Sequence, residues 1–499
     1  MSVSISGGQS AFLIQRLVSM RAQFDDLQRQ LSTGQKSSTY AGLGLDRGVA
    51  VSLTAQLTAI KSYDSTIDNV STRINLMNTA LGRMSDIGGA VKAAMMQANT
   101  TGNSTGTLSA QQTALLSLDE LLGLLNVQAG DHYLFSGRAT DKPAVASMNA
   151  ILDGTGAQAG LKQLIAERKQ ADLGADGLGR LVIDQPSATS VAVTEDAVSP
   201  FGFKLASVDS NLANATVAGP AGSPASLSID LTGLPNAGDT ITLRFDLPDG
   251  TSANLTLTAT TDSPAGANEF TIGATAADTA ASLQAALTTA TGKLAGSALT
   301  AASAVSASDD FFNADANNPP LRVDGPPFSS ATAMTTGSAA NTVIWYTGEA
   351  DSGSARMTST ARVDTSHAVA YGSRASEEGI RTLVQNIATL AAVTVSASDP
   401  NAVELSSALN QRLSSNISNT SGVQTVANIQ ADLAGALGTM TATKARNAQT
   451  SAALQDFLHQ IKGVSNEEVA AQILALQTQM QASMQTTSML FQISLVDYM

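Results

Sequence analysis

Apolar residues spaced in alternating steps of four and three mark both extremities of this 499-residue chain, and no other feature restricts its fold as tightly. Near the start the series is Leu13, Leu17, Met20, Phe24, Leu27 and Leu31, with Gln, Arg, Asp and Ser between the seam positions. Near the far end it is Val469, Ile473, Leu476, Met480, Met484, Leu490 and Ile493. This is heptad spacing, which predicts helices with narrow apolar stripes. Such a helix buries little unless a second helix covers its stripe. The later series also has a start signal. Ser465 stands three residues before Glu468 in capping-box spacing, and Glu467 adds negative charge at the positive helix end.

Between these ends the pattern changes twice. Gly34 closes the first helix, and the glycines of Tyr40-Ala41-Gly42-Leu43-Gly44 allow a bend. From about Asp46, Leu53, Ile60, Ile67, Ile74 and Leu81 hold one heptad position, and Tyr63, Val70, Met77, Met84 and Val91 the other. Roughly 50 helical residues would make a rod of about 75 Å. After a polar turn at Thr100 to Gly106, Leu108, Leu115, Leu118, Leu122 and Leu125 continue the period until Ala129-Gly130. From about Ala139 to Gly372 heptads give way to short alternating runs: Leu227, Ile229 and Leu231; Ile241 to Leu247; Leu255 to Leu257; Phe270 and Ile272. Pro248-Asp249-Gly250 reads as a hairpin turn, and Ala276 to Leu287 as a helix lying on the sheet. Ala298 to Ser338, broken by Pro319-Pro320 and Pro326-Pro327, carries little pattern.

Helical spacing returns with Ile380, Leu383, Ile387 and Leu390, breaks at Asp399-Pro400, and resumes as one rod-length pattern from Ala402 to Ile461. The middle of that run is polar, with Lys444, Asn447 and Ser451 at seam positions. The expected fold is therefore mainly α. A long antiparallel helical rod or coiled-coil bundle is built from the two ends of the chain and carries an inserted, mixed and mostly β outer domain that is loosely specified. The expected boundaries are 1–44 and 464–499 for the terminal helices, 45–138 and 373–463 for the two halves of the rod, and 139–372 for the insert.

Composition narrows the function. Cysteine is absent and only His132, His367 and His459 occur, so neither thiolate nor local histidine metal spacing exists. A formal charge of −14 without basic runs argues against nucleic acid and anionic membrane surfaces as partners. No window of about 18 uncharged apolar residues spans a bilayer. The first residues, MSVSISGGQS, show no Sec-type signal, so any export is expected to read something else.

Reactive chemistry finds little support, and neither a cofactor nor a catalytic residue is expected. Gly42-x-Gly44-x-x-x-Gly48 follows a helix rather than a strand and reads as a bend, not a phosphate loop. Glu377-Glu378 and Glu467-Glu468 read as solvated partners of helix starts. His132 reads as a hydrogen-bonded turn residue. The methionines at 480, 484 and 489 read as helix–helix core, and that core is expected to lie between subunits. Stripes that one molecule cannot cover call for neighbouring copies in a head-to-tail array.

These residues resemble bacterial flagellins and the flagellin-like hook–filament junction proteins. LQRQLSTG (27–34), followed by a loop and a long helix, is similar to the family's N-terminal signature, although SSTYAGLGLDRG stands where flagellins carry an Asp-Asp-Ala loop. The stretch from Ser465 to Met499 is similar to the family's last helix, and its ending, SMLFQISLVDYM, differs from that of filament flagellins. More specific is GDHYLFSGRATDKP (130–143), with Tyr133, Leu134, Phe135, Ser136 and Gly137 at the centre of a junction-protein motif. FGFKL (201–205), VIWYTGE (343–349) and YGSRASEEGIR (371–381) also resemble junction proteins. The resemblance implies an extracellular hook-associated protein 3 role. The subunit would join hook-associated protein 1 to the flagellin filament, with terminal helices forming an inner tube and the insert facing outward. It also implies export through the flagellar type III apparatus with a cytosolic chaperone on the C-terminal helix. The resemblance implies that subunit contacts are made by Leu13, Leu17, Met20, Phe24, Leu27, Leu31, Ile473, Leu476, Met480, Met484, Leu490 and Ile493. A filament-forming flagellin is the alternative, and a secreted enzyme or adhesin acting through the insert a remote one.

Overall fold

The computed structural model describes residues 4–101, 104–396, 398–418 and 421–496, with the side chains of 4–10, 101, 104–105 and 490–496 outside the description. Helix makes up 55% of the chain and strand 17%, the latter spread over several small sheets, so the architecture is mixed α and β. The chain begins with α1 (Ser4–Thr33), a short 3₁₀ turn (Tyr40–Asp46), α2 (Arg47–Thr101) and α3 (Ser104–Leu125). A two-stranded hairpin, β1 (Gln128–Ala129) and β2 (His132–Tyr133), leads to α4 (Met148–Asp153) and α5 (Leu161–Leu173). Next come β3 (Leu181–Ser187), β4 (Ser190–Glu195), β5 (Lys204–Ser210), β6 (Ala215–Ala221), β7 (Ser226–Leu231), β8 (Thr240–Asp246), β9 (Ser252–Thr260) and β10 (Glu269–Thr271). Helices α6 (Ala276–Leu294) and α7 (Thr300–Phe312) follow, then β11 (Leu321–Val323) and β12 (Met334–Thr336). The return path is α8 (Glu378–Ala392), α9 (Ala402–Ser418), α10 (Val426–Lys462) and α11 (Asn466–Val496).

Two compact units result: residues 1–71, 361–369 and 437–499 in one, and 72–360 with 370–436 in the other. In the first, α1 packs along α11. Gly34, at φ +67°, ends α1 where a helix needs a left-handed residue to turn away. The Lys36 N–H then donates to the Lys462 carbonyl at 2.7 Å and the Val464 N–H to the Gly34 carbonyl at 3.1 Å, tying the two helix bases together. The Ser465 hydroxyl oxygen accepts from the Glu468 N–H at 3.3 Å as capping-box spacing requires, and the hydroxyl itself donates to the Glu467 carboxylate at 2.7 Å. Asn447 Nδ2 donates to Asp64 at 2.9 Å and Lys444 pairs with Asp68. Two of the three polar positions of that run, Lys444 and Asn447, therefore meet polar partners on α2, an arrangement that fixes helix register.

In the second unit the heptad residues Ile74, Met77, Leu81, Met84 and Val91 of α2 are buried, as are Leu118, Leu122 and Leu125 of α3. Helix α3 packs on α8, and α8 on α7 and α9. The strands form two four-stranded sheets ordered β3-β4-β7-β6 and β10-β9-β8-β5, antiparallel except for the β9–β10 pair. Alternate residues of β7 and β8 point inward, among them Leu227, Ile229, Ile241, Leu243 and Phe245, and α6 covers them with Leu283 and Leu287. Thr275 starts α6 with a complete capping box to Asp278. The β8–β9 turn at Pro248-Asp249-Gly250 forms as its residues predict, with Asp249 also held by Arg412 of α9 at 2.8 Å.

Three details differ from expectation. Ala402 to Ile461 is not one helix: it breaks between α9 and α10, where Gly422 adopts φ +76° and Thr425 recaps the chain by accepting from the Asn428 N–H. Ala298 to Ser338 is not patternless, since it contains α7, which buries Ala301, Ala302, Ala304, Ala307, Phe311 and Phe312. The 139–372 segment is mixed and is not loosely specified. It holds four α-helices among its strands, and the broad apolar core of the two sheets and α6 lies within it.

Candidate functional site

Three stretches far apart in sequence meet around Tyr133 to Gly137. After β2, the Leu134 N–H donates to the Val127 carbonyl at 3.1 Å, and Phe135 and Ser136 are fully buried. The Glu349 N–H reaches the Ser136 carbonyl at 3.0 Å from one side. From the other, the Ala375 N–H reaches the Phe135 carbonyl at 2.8 Å and the Gly137 N–H donates to the Ser373 carbonyl at 3.2 Å. The Glu349 carboxylate accepts from the Arg138 N–H at 2.9 Å and pairs with its guanidinium at 3.2 Å. Gly137 sits at φ +68°, and a Cβ there would lie 2.6 Å from Glu349 Oε2. The motif thus acts through backbone and packing: it splices 343–349 to 371–377. Tyr133 is half-buried, and beside it His132 Nδ1 meets Thr140 Oγ1 at 3.0 Å within the turn.

Next to this splice lies a cleft of about 480 Å³. Phe312 and Tyr346 line it, and the rings of both pack near buried Trp345, which donates to the Phe312 carbonyl at 2.8 Å. Arg374 donates to the Asp351 and Gly353 carbonyls, which shapes the rim. Glu377 pairs with Arg356 and accepts from Ser373 Oγ at 2.8 Å and the Arg374 N–H at 3.0 Å. Glu377 is buried, so the expectation of a solvated helix-start acid is corrected for it: the carboxylate is a hub for the 371–377 turn. The Tyr346 hydroxyl is pushed up to about 12, chiefly by burial, with nearby Arg374 opposing. It lies near Ser376 and the Glu349 backbone, yet neither meets hydrogen-bond geometry.

A second polar cluster sits on α5. Arg168 bonds Asp172 at 2.9 Å, stands 3.9 Å from Asp310 and covers the Phe201 ring, while Glu167 pairs with Arg322. Burial raises both Asp172 and Asp310, the latter to about 6, against the pull of Arg168. Asp172 also accepts from the Gly202 N–H at 2.9 Å, so this cluster is closed and joins α5 to the chain near β5 and to α7. Among the described residues no group of three or more His, Asp or Glu side chains is arranged to hold a metal ion, and no helix is long and apolar enough to cross a membrane.

On the terminal helices, Met20 and Leu476 are buried, and Leu13, Leu17, Phe24, Leu27, Ile473 and Met480 are half-buried. Leu31 and Met484 are exposed, and the side chains of Leu490 and Ile493 lie outside the described residues. The seams are thus partly consumed within one chain. Further apolar side chains stay open on the flanks: Phe12 and Val18 at 64% exposure, Ile14 at 55% and Leu474 at 64%. Heptad reading passed over these four because they fall off the seam; the available signal was an apolar residue at i and i+4 (Ile14, Val18) beside a complete stripe. The chain matches no protein-family model, and no curated protein matches it.

Proposed function

We propose that this chain is a structural subunit of the bacterial flagellum, the hook–filament junction adaptor that links hook-associated protein 1 to flagellin. In this reading the paired terminal helices belong to the inner tube, the long helices make a rod, and the mixed segment is an outer domain. The subunit is extracellular, exported by the flagellar type III apparatus with a chaperone on α11, and its partners are copies of itself and the two flanking proteins. Its role is mechanical rather than enzymatic.

One observation carries the reading. Phe12, Ile14, Val18 and Leu474 remain more than half exposed on helices whose own seams already face each other. Ile14 and Val18, one turn apart on one flank of α1, mark an interaction face in a chain otherwise rich in small and polar residues, with Phe12 on the opposite flank and Leu474 on α11 also open. The resemblance of Tyr133 to Gly137 to junction proteins selects the adaptor over the filament. A deletion strain tests this: the account expects hooks that release flagellin monomers and carry no filament. Normal filaments in that strain would refute the adaptor. Long filaments grown from the purified chain alone would assign it as a flagellin instead.

A further inference from the structure

The charge of the chain is divided unevenly between its two compact units. Of 27 Lys and Arg and 41 Asp and Glu, ten of each fall in residues 1–71, 361–369 and 437–499, so that unit has no formal net charge. The other unit, 72–360 with 370–436, holds the remaining 17 cations and 31 anions, and with them the entire −14. Exposed apolar side chains are divided in the opposite sense. The neutral unit has 143 of the 499 residues, yet it holds 12 of the 23 large hydrophobic side chains that stand exposed among the described residues. Leu45, next to Gly44 at φ +58°, is fully exposed, and Val49 four residues on is 52% exposed. On α11 no residue from Val469 to Val496 carries a charge.

The two parts of this division oppose each other when copies meet. Apolar side chains on a neutral unit are drawn to those of a like unit, because contact removes them from water and no net charge resists the approach. The acidic unit is covalently attached, so each such contact also brings a second −14 into range. Repulsion of that kind acts through solvent, and its reach falls from about 30 Å at 0.01 M salt to about 8 Å at 0.15 M and about 3 Å at 1 M. A second copy is the partner that fits, since neutrality and open apolar side chains occur together on the same unit. We infer that the acidic unit is an electrostatic brake on self-association: copies join through the neutral unit only once ionic strength screens the charge of the other. The inference rests on the proposed function only for the face at which copies meet.

Sedimentation velocity of the purified full chain, at one protein concentration and over about 10 to 500 mM sodium chloride, tests this. The wild type should be monomeric at the low end and form larger species as salt rises. Asp119, Asp131, Asp184, Asp246, Asp262 and Asp324 are exposed acids of the acidic unit. Changing all six to Asn takes the charge from −14 to −8. Repulsion between two copies scales with the product of their charges and so falls about 3-fold, and the midpoint salt concentration should drop at least about 2-fold, with circular dichroism unchanged. Equal midpoints for the two proteins would mean that salt acts on the apolar side chains alone and would overturn the brake. So would association that weakens as salt rises, or monomers at every salt concentration in both proteins. An Ile14→Asp, Val18→Asp double variant tests the face separately. If it associates as the wild type does while the six-acid variant still shifts, the brake stands and the face lies elsewhere.

Discussion

At residue scale, two positions are decided by local physics. Gly137 needs a left-handed backbone and has no room for a methyl group against Glu349 Oε2. Gly137→Ala should therefore cost about 1–3 kcal/mol of stability in urea unfolding, more than a surface change would. Asp310 has the opposite character. Burial holds it at about 6, above the 3.8 of an unburied carboxyl, so the folded state binds its proton more tightly than the unfolded one. Its ionisation therefore opposes folding at neutral pH, and stability through this group rises as pH falls from about 6 toward 4. Asp310→Asn should add about 1–2 kcal/mol at pH 7, allowing for its partly exposed edge, and should flatten that part of the pH–stability curve. An unchanged curve would remove Asp310 from the account. The cleft itself was not readable in advance, because its lining comes from separate segments with no shared period, although VIWYTGE (343–349) and YGSRASEEGIR (371–381), which supply part of it, stood out by resemblance.

At the scale of elements, legibility followed contrast. Helices with one apolar stripe, such as α2 with Ile74 and Leu81 or α8 with Ile380 and Ile387, announced themselves through spacing, and so did the β8–β9 hairpin through Pro248-Asp249-Gly250. Helix α7 did not, because most of its buried residues are Ala, Ser and Thr, which give little contrast of large apolar against polar positions. Helix α5 was hidden for the reverse reason, since buried Glu167, Arg168 and Asp172 read as surface residues until Arg322, Asp310 and Phe201 are seen to enclose them. The α1–α11 pair depends on a thin seam in which Leu476 is among the few buried members. Leu476→Asp should cost about 3 kcal/mol or more of that pair and open both terminal helices to limited proteolysis, while the 72–360 and 370–436 unit melts as before. A single cooperative loss of the whole chain would contradict this division.

At the scale of the whole molecule, the proposed role needs the terminal helices to bind outward as well as to each other. Ile14 and Val18 lie one turn apart on a flank of α1, are mostly exposed, and contribute little to the single chain. They therefore separate assembly from folding, which seam residues such as Met20 do not. The most direct measurement is the amount of an Ile14→Asp, Val18→Asp double variant in flagella isolated from a strain that lacks the native copy, with secreted protein counted alongside. The account predicts a variant that folds, leaves the cell and stays in the medium, reducing its share in isolated flagella by about 10-fold or more. Incorporation at the wild-type level would contradict it.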